Sequence, residues 1–509
     1  MKRFQGQVTI FLALSCLSLF ALLGVCLEGA RSACLDYWCR QAADSALRSV
    51  FAAYQGDALR DYGLLLSKGR EEGNSLTGKE ALRYAEKYLR PGQNTLYAQG
   101  DRIRLQELEA WEEDVVYVTE GQGGVFIQAV ETYMKTAGIS LVLQSVLERL
   151  GLYNQEDGSG LLETIHQMIS EKDSSLEGIL NSYKDIKEQT AALQEEAKKK
   201  AEEEESLYIP PPGSSEDVKT DLLEQIKSIR KYGLISIITG QEALSAYSWD
   251  KSDLPTRLPQ SEKDLHMSYG RGPINLLDHL LLGEYVQHKM NCYTQEAEGG
   301  SSYEWEYILS GRSSDKKALE AVIGEILLIR MGFNLAYLST DAEKVALAEL
   351  TAIGIMSFLA LPQLIVVLKW ILLSAWALAE SIVDLRGLVR GRKIPLWKSS
   401  GSWRLSTMKL DLSAEGGGSQ GLAYEDYLRI LFVLGDPSRQ AYRMMDVIQE
   451  RMRKKDPSFT LKDYMVQATL SFRMTASYLY ADLPLIRDIV APHGSRQYYI
   501  QSRYGYERR

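Results

Sequence analysis

Histidine and cysteine are both scarce, five of each among 509 residues, which leaves little material for metal coordination or a disulfide framework. Four of the cysteines, Cys16, Cys26, Cys34 and Cys39, fall inside or just beyond the first apolar run, and Cys292 stands apart. If residues 34–39 are helical, the i,i+5 offset holds the Cα atoms of Cys34 and Cys39 beyond the roughly 7 Å limit for a bridge. No Walker A sequence, dinucleotide fingerprint, H-E-x-x-H or C-x-x-C pair occurs, so nothing specifies a cofactor. A basic surplus is missing too: the net charge is -9, and without a cationic surface to release counterions nucleic acid is excluded as a partner. Phenylalanine (10) is outnumbered by tyrosine (29), whose polar edge suits contacts with partners or wall polymers as readily as internal packing.

What is present is an average globular balance, 45% hydrophobic and 25% charged, so most of the chain folds in water. At roughly 150 residues per domain the length implies two or three packed units. Residues 8–27 hold no charge and would reach about 30 Å as a helix, the thickness of a bilayer's hydrocarbon core. Lys2 and Arg3 precede the run and Glu28 follows it, an asymmetry that places the N-terminus in the cytoplasm and the bulk of the chain outside. Arg31 and Ala33 do not form a small-residue signal cleavage site, and Val25 before Cys26 does not suit a lipoprotein signal, so the helix is expected to stay.

Within and after this run stand Lys2-Arg3, Gly6-Gln7-Val8-Thr9-Ile10-Phe11-Leu12-Ala13-Leu14, Arg31 and Gln41-Ala42-Ala43-Asp44-Ser45-Ala46. This pattern resembles the N-terminus of TadE/TadG-like pseudopilins of tight-adherence (Tad) pilus systems. The resemblance implies a leader-processing site at Gly6 and Gln7, a membrane helix that includes Val8, Phe11 and Leu27, and an alanine-rich extension in which Ala42, Ala43 and Ala46 allow close helix packing. It departs from that group at Phe11, where a processed pilin has a glutamate at its fifth mature position. An anchored accessory subunit therefore fits better than a filament-forming pilin.

Farther along, apolar residues recur at helical spacing over 30–54 and 79–89. Val115-Val116-Tyr117-Val118 and Val125-Phe126-Ile127, separated by Gly121-Gln122-Gly123-Gly124, predict a small sheet or hairpin. Residues 161–206 read as a solvated helix with Glu195/Lys199 and Glu196/Lys200 pairs, and Pro210-Pro211-Pro212-Gly213-Ser214-Ser215 as a stiff linker. Beyond it, Leu282-Gly283-Glu284-Tyr285, Tyr303-Glu304-Trp305-Glu306-Tyr307, Ile329-Arg330-Met331-Gly332-Phe333-Asn334, Ala377-Leu378-Ala379-Glu380-Ser381-Ile382-Val383-Asp384 and Ile394-Pro395-Leu396-Trp397-Lys398 resemble an uncharacterised family encoded in Tad-type pilus loci. The similarity extends over nearly the whole chain and implies a setting, not an activity.

Residues 351–379 are uncharged except for Lys369 and are followed by Arg386, Arg390, Arg392 and Lys393. A mid-membrane lysine costs about 2.5 to 3.5 kcal/mol, which the surrounding Leu, Ile and Trp could offset. The break at Leu361-Pro362-Gln363 favours a buried helix over a second span. Residues 403–412 alternate like a strand, 423–434 and 440–452 read as helices, 466–481 as a last helix or mixed strand, and the tyrosine-rich tail from Gln497 as frayed.

Candidate chemistry is thin. Gly417-Gly418-Ser419-Gln420-Gly421 has the G-x-S-x-G form, with His493 and Asp482 or Asp488 downstream, but its composition is that of a flexible connector. Glu284, His288 and Cys292 would share one helix face, a partial metal set that needs further ligands. Glu304 and Glu306 would share a face on a strand and diverge on a helix.

The expected fold is α+β and predominantly helical, an N-terminal transmembrane helix continuing into a mostly α extracytoplasmic region with small β elements. Its parts are a leader (1–7), the membrane helix (8–27), a helical region with a small β element and the charged helix (28–206), the linker (207–215) and a second helical domain (216–509). The expected function is non-enzymatic: a single-pass accessory component of a Tad-type pilus assembly or secretion system, contacting membrane lipid, pilus subunits or platform proteins, and the cell wall. The competing readings are a membrane-tethered envelope hydrolase and a two-span platform scaffold.

Overall fold

The computed structural model describes residues 2–71, 73–89, 105–136, 234–240, 244–249, 251–257, 276–295, 303–358, 362–406, 414, 416–478 and 494–506. The charged helix at 161–206 and the linker at 207–215 lie outside the described residues. The protein is mostly helical with small sheets. By contacts it divides into two units that do not follow sequence order: Met1–Tyr133 with Leu258–Gly270 and Ile448–Arg509, and Met134–Arg257 with Arg271–Val447.

In the first unit a single helix, α1 (Lys2–Ala52), runs through the whole apolar N-terminus and beyond it. It is followed by α2 (Gly56–Tyr62), the two-residue strands β1 (Ser67–Lys68), β2 (Arg70–Glu71) and β3 (Asn74–Ser75), then α3 (Thr77–Leu89) and the long strand β4 (Leu105–Tyr117). The C-terminal end of the chain supplies β5 (Tyr464–Ser477) and β6 (Ser495–Gly505). β5 is the central strand, antiparallel to β4 on one edge and to β6 and β1 on the other.

Alternation explains this sheet. Ala468, Leu470, Phe472, Met474 and Ala476 of β5 and Tyr498 and Ile500 of β6 fall on one buried face, as a period of two requires. Against that face lies α1, through Leu35, Cys39, Ala42, Ala43, Ala46, Leu47, Val50 and Phe51, the three-and-four spacing of one helical stripe. Ala81, Ala85 and Leu89 of α3 join the same core.

Two expectations are corrected here. The tail is not frayed, because residues 495–505 are a paired strand. The hairpin at 115–127 does not form: β4 ends at Tyr117, and Val125, Phe126 and Ile127 begin α4 (Gly124–Thr136) after a 3-10 turn at Gly121–Gly123. All three of those side chains are buried, and burial overrides their preference for strands.

The second unit is built from α5 (Leu234–Thr239), α6 (Leu276–Lys289), α7 (Glu304–Ser310), α8 (Asp315–Thr340), α9 (Ala342–Phe358), α10 (Ile365–Val389) and α11 (Tyr424–Leu434). A further helix, α12 (Pro437–Arg453), begins in it. The expected helices at 423–434 and 440–452 are thus present. A 3-10 turn at Pro362–Leu364 precedes α10, consistent with the proline break. α8, α9 and α10 share a core that includes Met331, Leu338, Ala352, Met356, Leu372 and Trp376. Residues 403–405 form no strand, and 407–412 lie outside the described residues.

Candidate functional site

A dense polar cluster is sealed inside the second unit. Arg330 and Asn334 stand one turn apart on α8, and Glu380, Ser381 and Asp384 stand within about one turn on α10; all are fully buried. Arg330 donates to Asp384 Oδ2 from Nε (3.1 Å) and Nη2 (2.8 Å), and from Nη2 to Asn334 Oδ1 (3.0 Å). Its Nη1 reaches the carbonyls of Pro395 (2.9 Å) and Leu396 (3.0 Å) and the Tyr427 hydroxyl (3.2 Å). Asn334 Nδ2 in turn donates to Ser381 Oγ (2.9 Å) and Asp384 Oδ2 (3.1 Å).

Lys398 completes the cluster. Its ammonium donates to Glu380 Oε1 (2.7 Å), Asp384 Oδ1 (2.7 Å) and the Ser402 carbonyl (3.0 Å), using all three protons. Glu380 also accepts from the backbone N–H groups of Arg404 and Leu405, both at 2.9 Å. Two cations thus face two carboxylates, so the buried charge balances, and the hydrogen bonds satisfy it as low-dielectric burial demands.

Glycine lets the chain close over this cluster. A Cβ on Gly387 would meet the Gly416 carbonyl oxygen at 2.3 Å, and one on Gly416 would lie 2.8 Å from the Asp384 Cα. Gly416 N–H bonds to the Val383 carbonyl at 2.9 Å. Gly416 therefore serves close backbone approach beside α10, while Gly417, at φ +91°, packs against Lys393 and Ile394.

Further buried acids in this unit act as backbone and side-chain braces. Glu304 Oε2 accepts from Asn291 N–H (2.9 Å); Glu306 Oε1 accepts from Tyr293 N–H (2.9 Å) and the Tyr424 hydroxyl (2.8 Å). Asp446 accepts from Thr256 N–H (3.0 Å), the Thr256 hydroxyl (2.7 Å) and the Tyr307 hydroxyl (2.5 Å). Desolvation pushes the Glu306 carboxyl up to about 7 and that of Asp446 up to about 6. Arg429 bridges Glu284 (2.7 Å) and Asp426 (2.5 Å).

The metal set suggested by spacing does not assemble. Glu284 is engaged by Arg429, His288 is exposed, and Cys292 lies past the end of α6, its thiol 3.3 Å from the Thr294 hydroxyl and pushed up to about 12 mainly by burial. Among the described residues no three His, Cys, Asp or Glu side chains gather as a metal site. Ser419 sits exposed in a loop between the left-handed Gly417 and Gly421; Asp482, Asp488 and His493 lie outside the described residues.

At the other end of the chain, Gly6 and Gln7 belong to the start of α1. Every Val, Ile, Leu and Phe of residues 8–27 is exposed, including Val8, Leu27 and, at 72%, Phe11. Ser18 turns its hydroxyl back to the carbonyls of Leu14 and Ser15, which satisfies it within the helix. Ala42, Ala43 and Ala46 are covered by the chain's own sheet and α3, so their small size serves packing within the unit. Where the apolar run ends, Arg31 pairs with Glu28 (3.0 Å) and donates to the Ser477 carbonyl (2.9 Å). Ser32 meets the Tyr498 hydroxyl at 3.1 Å, and Ser502 donates to Asp44 at 2.6 Å.

Fold and site together define a mostly helical protein with small sheets and an interior braced by paired charges; among the described residues three helices are long and apolar enough to cross a membrane, and of these the N-terminal one is uncovered while the two in the second unit are half buried or more. The chain belongs to a family of unknown function, DUF5702, whose family model matches residues 212–476, just over half of its length. That match contains the Arg330, Glu380–Asp384 and Lys398 segments and leaves α1 outside. No curated protein and no solved structure matches the chain.

Proposed function

We propose that the protein is a membrane-anchored, pseudopilin-like accessory component of a Tad-type pilus assembly or secretion system, acting by protein–protein contact and not by turnover. The observation that carries this reading is the division of α1. Its residues 8–27 present an uncovered apolar surface on all sides, whereas residues 35–51 dock on the sheet. A helix apolar all round is matched to lipid or to other helices in lipid. With Lys2 and Arg3 before it and Glu28 after it, the remainder of the chain lies outside the cytoplasm. Phe11 in place of an acidic residue suits lateral docking onto pilus subunits or platform proteins, with the sheet-bearing unit and the cell wall on the outer side. The Arg330–Asp384–Lys398–Glu380 cluster of the second unit supports a scaffold, since its cations and carboxylates are engaged by one another and by backbone groups.

The test combines topology, processing and proximity in intact cells. A protease-accessible tag after Arg509, an uncut N-terminus and photo-crosslinks from positions 11 and 19 to a pilus-system protein are expected. Cleavage after Gly6 would restore a filament-forming pseudopilin. A protected tag, or cross-links from α1 to lipid alone in a cell assembling the pilus, would overturn the accessory role.

A further inference from the structure

The chain as a whole is acidic, yet from Leu385 to Ser406 it has six basic residues and no acidic one. Extending the count to Leu422 adds Lys409 against Asp411 and Glu415, so the segment keeps a net positive charge. Lys398 is spent inside the buried cluster and Arg386 is half-buried, whereas Arg390, Arg392, Lys393 and Arg404 are exposed. Three of these converge on the glycine turn. Lys393 and Gly418 exchange backbone hydrogen bonds (3.2 and 3.0 Å), as Ile394 and Leu422 do (both 2.8 Å), so Ser419-Gln420-Gly421 forms the exposed tip of a loop closed on the Lys393 segment. Arg404 donates from Nη2 to the Gly417 carbonyl (2.9 Å), and its own backbone N–H is held by Glu380 (2.9 Å). A Cβ placed on Gly417 would lie 3.0 Å from that of Arg392.

We propose that this turn is a binding site for a phosphodiester polymer of the cell envelope. Its charge is complementary to a polyanion, and its chemistry favours phosphate. Three of the four exposed cations are arginines, whose planar fork matches phosphate oxygens, and a glycine turn offers backbone N–H groups to the same oxygens. Arg404 is positioned from both its backbone and its side chain, so little ordering is left for binding to impose. The exposed residues at 390–393, 404 and 418–421 are cations, Gly, Ser and Gln without one apolar side chain. A protein interface centres on apolar and aromatic residues, and an element that enters a membrane surface needs an apolar face. Complementing the dipole of α10 at its C-terminal end explains Arg390, but Lys393 and Arg404 lie beyond that helix. The overall charge of -9 repels polyanions elsewhere on the chain and confines the contact to this turn. The site rests on the outward placement of the chain only for the polymer it meets.

The experiment uses the full chain in phosphatidylcholine nanodiscs and fluorescein-labelled poly(glycerol phosphate), read by anisotropy. Binding is expected to weaken steeply with salt, and the combined Arg392→Gln, Lys393→Gln and Arg404→Gln variant to raise Kd roughly tenfold or more. Arg48→Gln, Arg60→Gln and Arg83→Gln, which remove the same charge from the first unit, should leave Kd unchanged. Gln420→Glu adds a negative charge at the exposed tip without removing a described contact; it should weaken binding as well and serves where the triple variant does not fold. Wild-type Kd in either set of turn variants overturns the site, as does absence of binding by the wild type. Displacement of the polymer by polyglutamate at equal charge concentration would show that phosphate is not what is recognised. Loss of polymer binding when phosphatidylglycerol is added to the nanodiscs would assign the turn to lipid headgroups, and also overturns the polymer. No pilus protein enters this assay, so failure here leaves the accessory role standing, and failure of that role leaves the binding measured here intact.

Discussion

Asp384 holds two cations at once, one oxygen on Arg330 and the other on Lys398. Removing its charge leaves both cations buried with one carboxylate between them, and breaking a buried pair in this way costs about 3 to 5 kcal/mol. Asp384→Asn is therefore expected to lower the urea unfolding free energy of the second unit by roughly that amount, and a change below 1 kcal/mol would show that the cluster is not the brace described. The raised acids make a prediction of opposite character. Desolvation holds the Glu306 carboxyl near 7 and that of Asp446 near 6, while in the unfolded chain both titrate near 4. Between about pH 4 and 7 the folded state keeps protons that the unfolded state has released, so their contribution to stability is full at low pH and is lost as pH rises through that window. The loss is on the order of 3 kcal/mol for each group. Urea midpoints measured from pH 4.5 to 7.5 should fall, and Glu306→Gln or Asp446→Asn should each flatten the slope.

At the scale of elements, α1 does two jobs with one continuous helix, and its small residues decide the second. Ala43 and Ala46 are fully buried against the sheet and α3. Ala43→Leu should overpack this contact and destabilise the first unit by about 1 to 3 kcal/mol, read as earlier loss of protease resistance, while leaving flotation with vesicles unchanged. The helical stripes of α1, α3 and α12 were legible as periodicity. The strand in the tail was equally present as alternation, with Tyr498, Ile500 and Ser502 inward, but polar partners and a position at the chain end disguised it. Val125-Phe126-Ile127 misled for the opposite reason: β-prone residues enter a helix once all three are buried.

For the whole molecule, the main sheet joins the two ends of the chain. β5 bonds to β4 across more than 300 residues of sequence and to β6 at the C-terminus. Ending the chain after Ser477 would remove β6, strip Tyr498 and Ile500 from the α1 contact and expose an edge of the central strand. Such an edge recruits other chains. The truncated protein should form aggregates by size-exclusion chromatography in detergent where the full chain does not, and a monodisperse truncated protein would show that β6 is dispensable.

The apolar run at 8–27, the amphipathic continuation of α1 and the break at Pro362 were determined by the sequence alone, because length, periodicity and proline geometry are local properties of the chain. The segments around Arg330, Asp384 and Lys398 could be picked out in the sequence, but their meeting could not. A charge 14, 18 or 54 residues from its partner has no local signature, and only the packing of α8 against α10, with the segment that carries Lys398 folded back on α10, brings those side chains within hydrogen-bond distance. The same holds for residues 350–368: the sequence shows an uncharged stretch, and the packing of α9 on α10 decides that Ala352, Met356 and Leu368 enter the core while Leu350 and Val366 stay exposed.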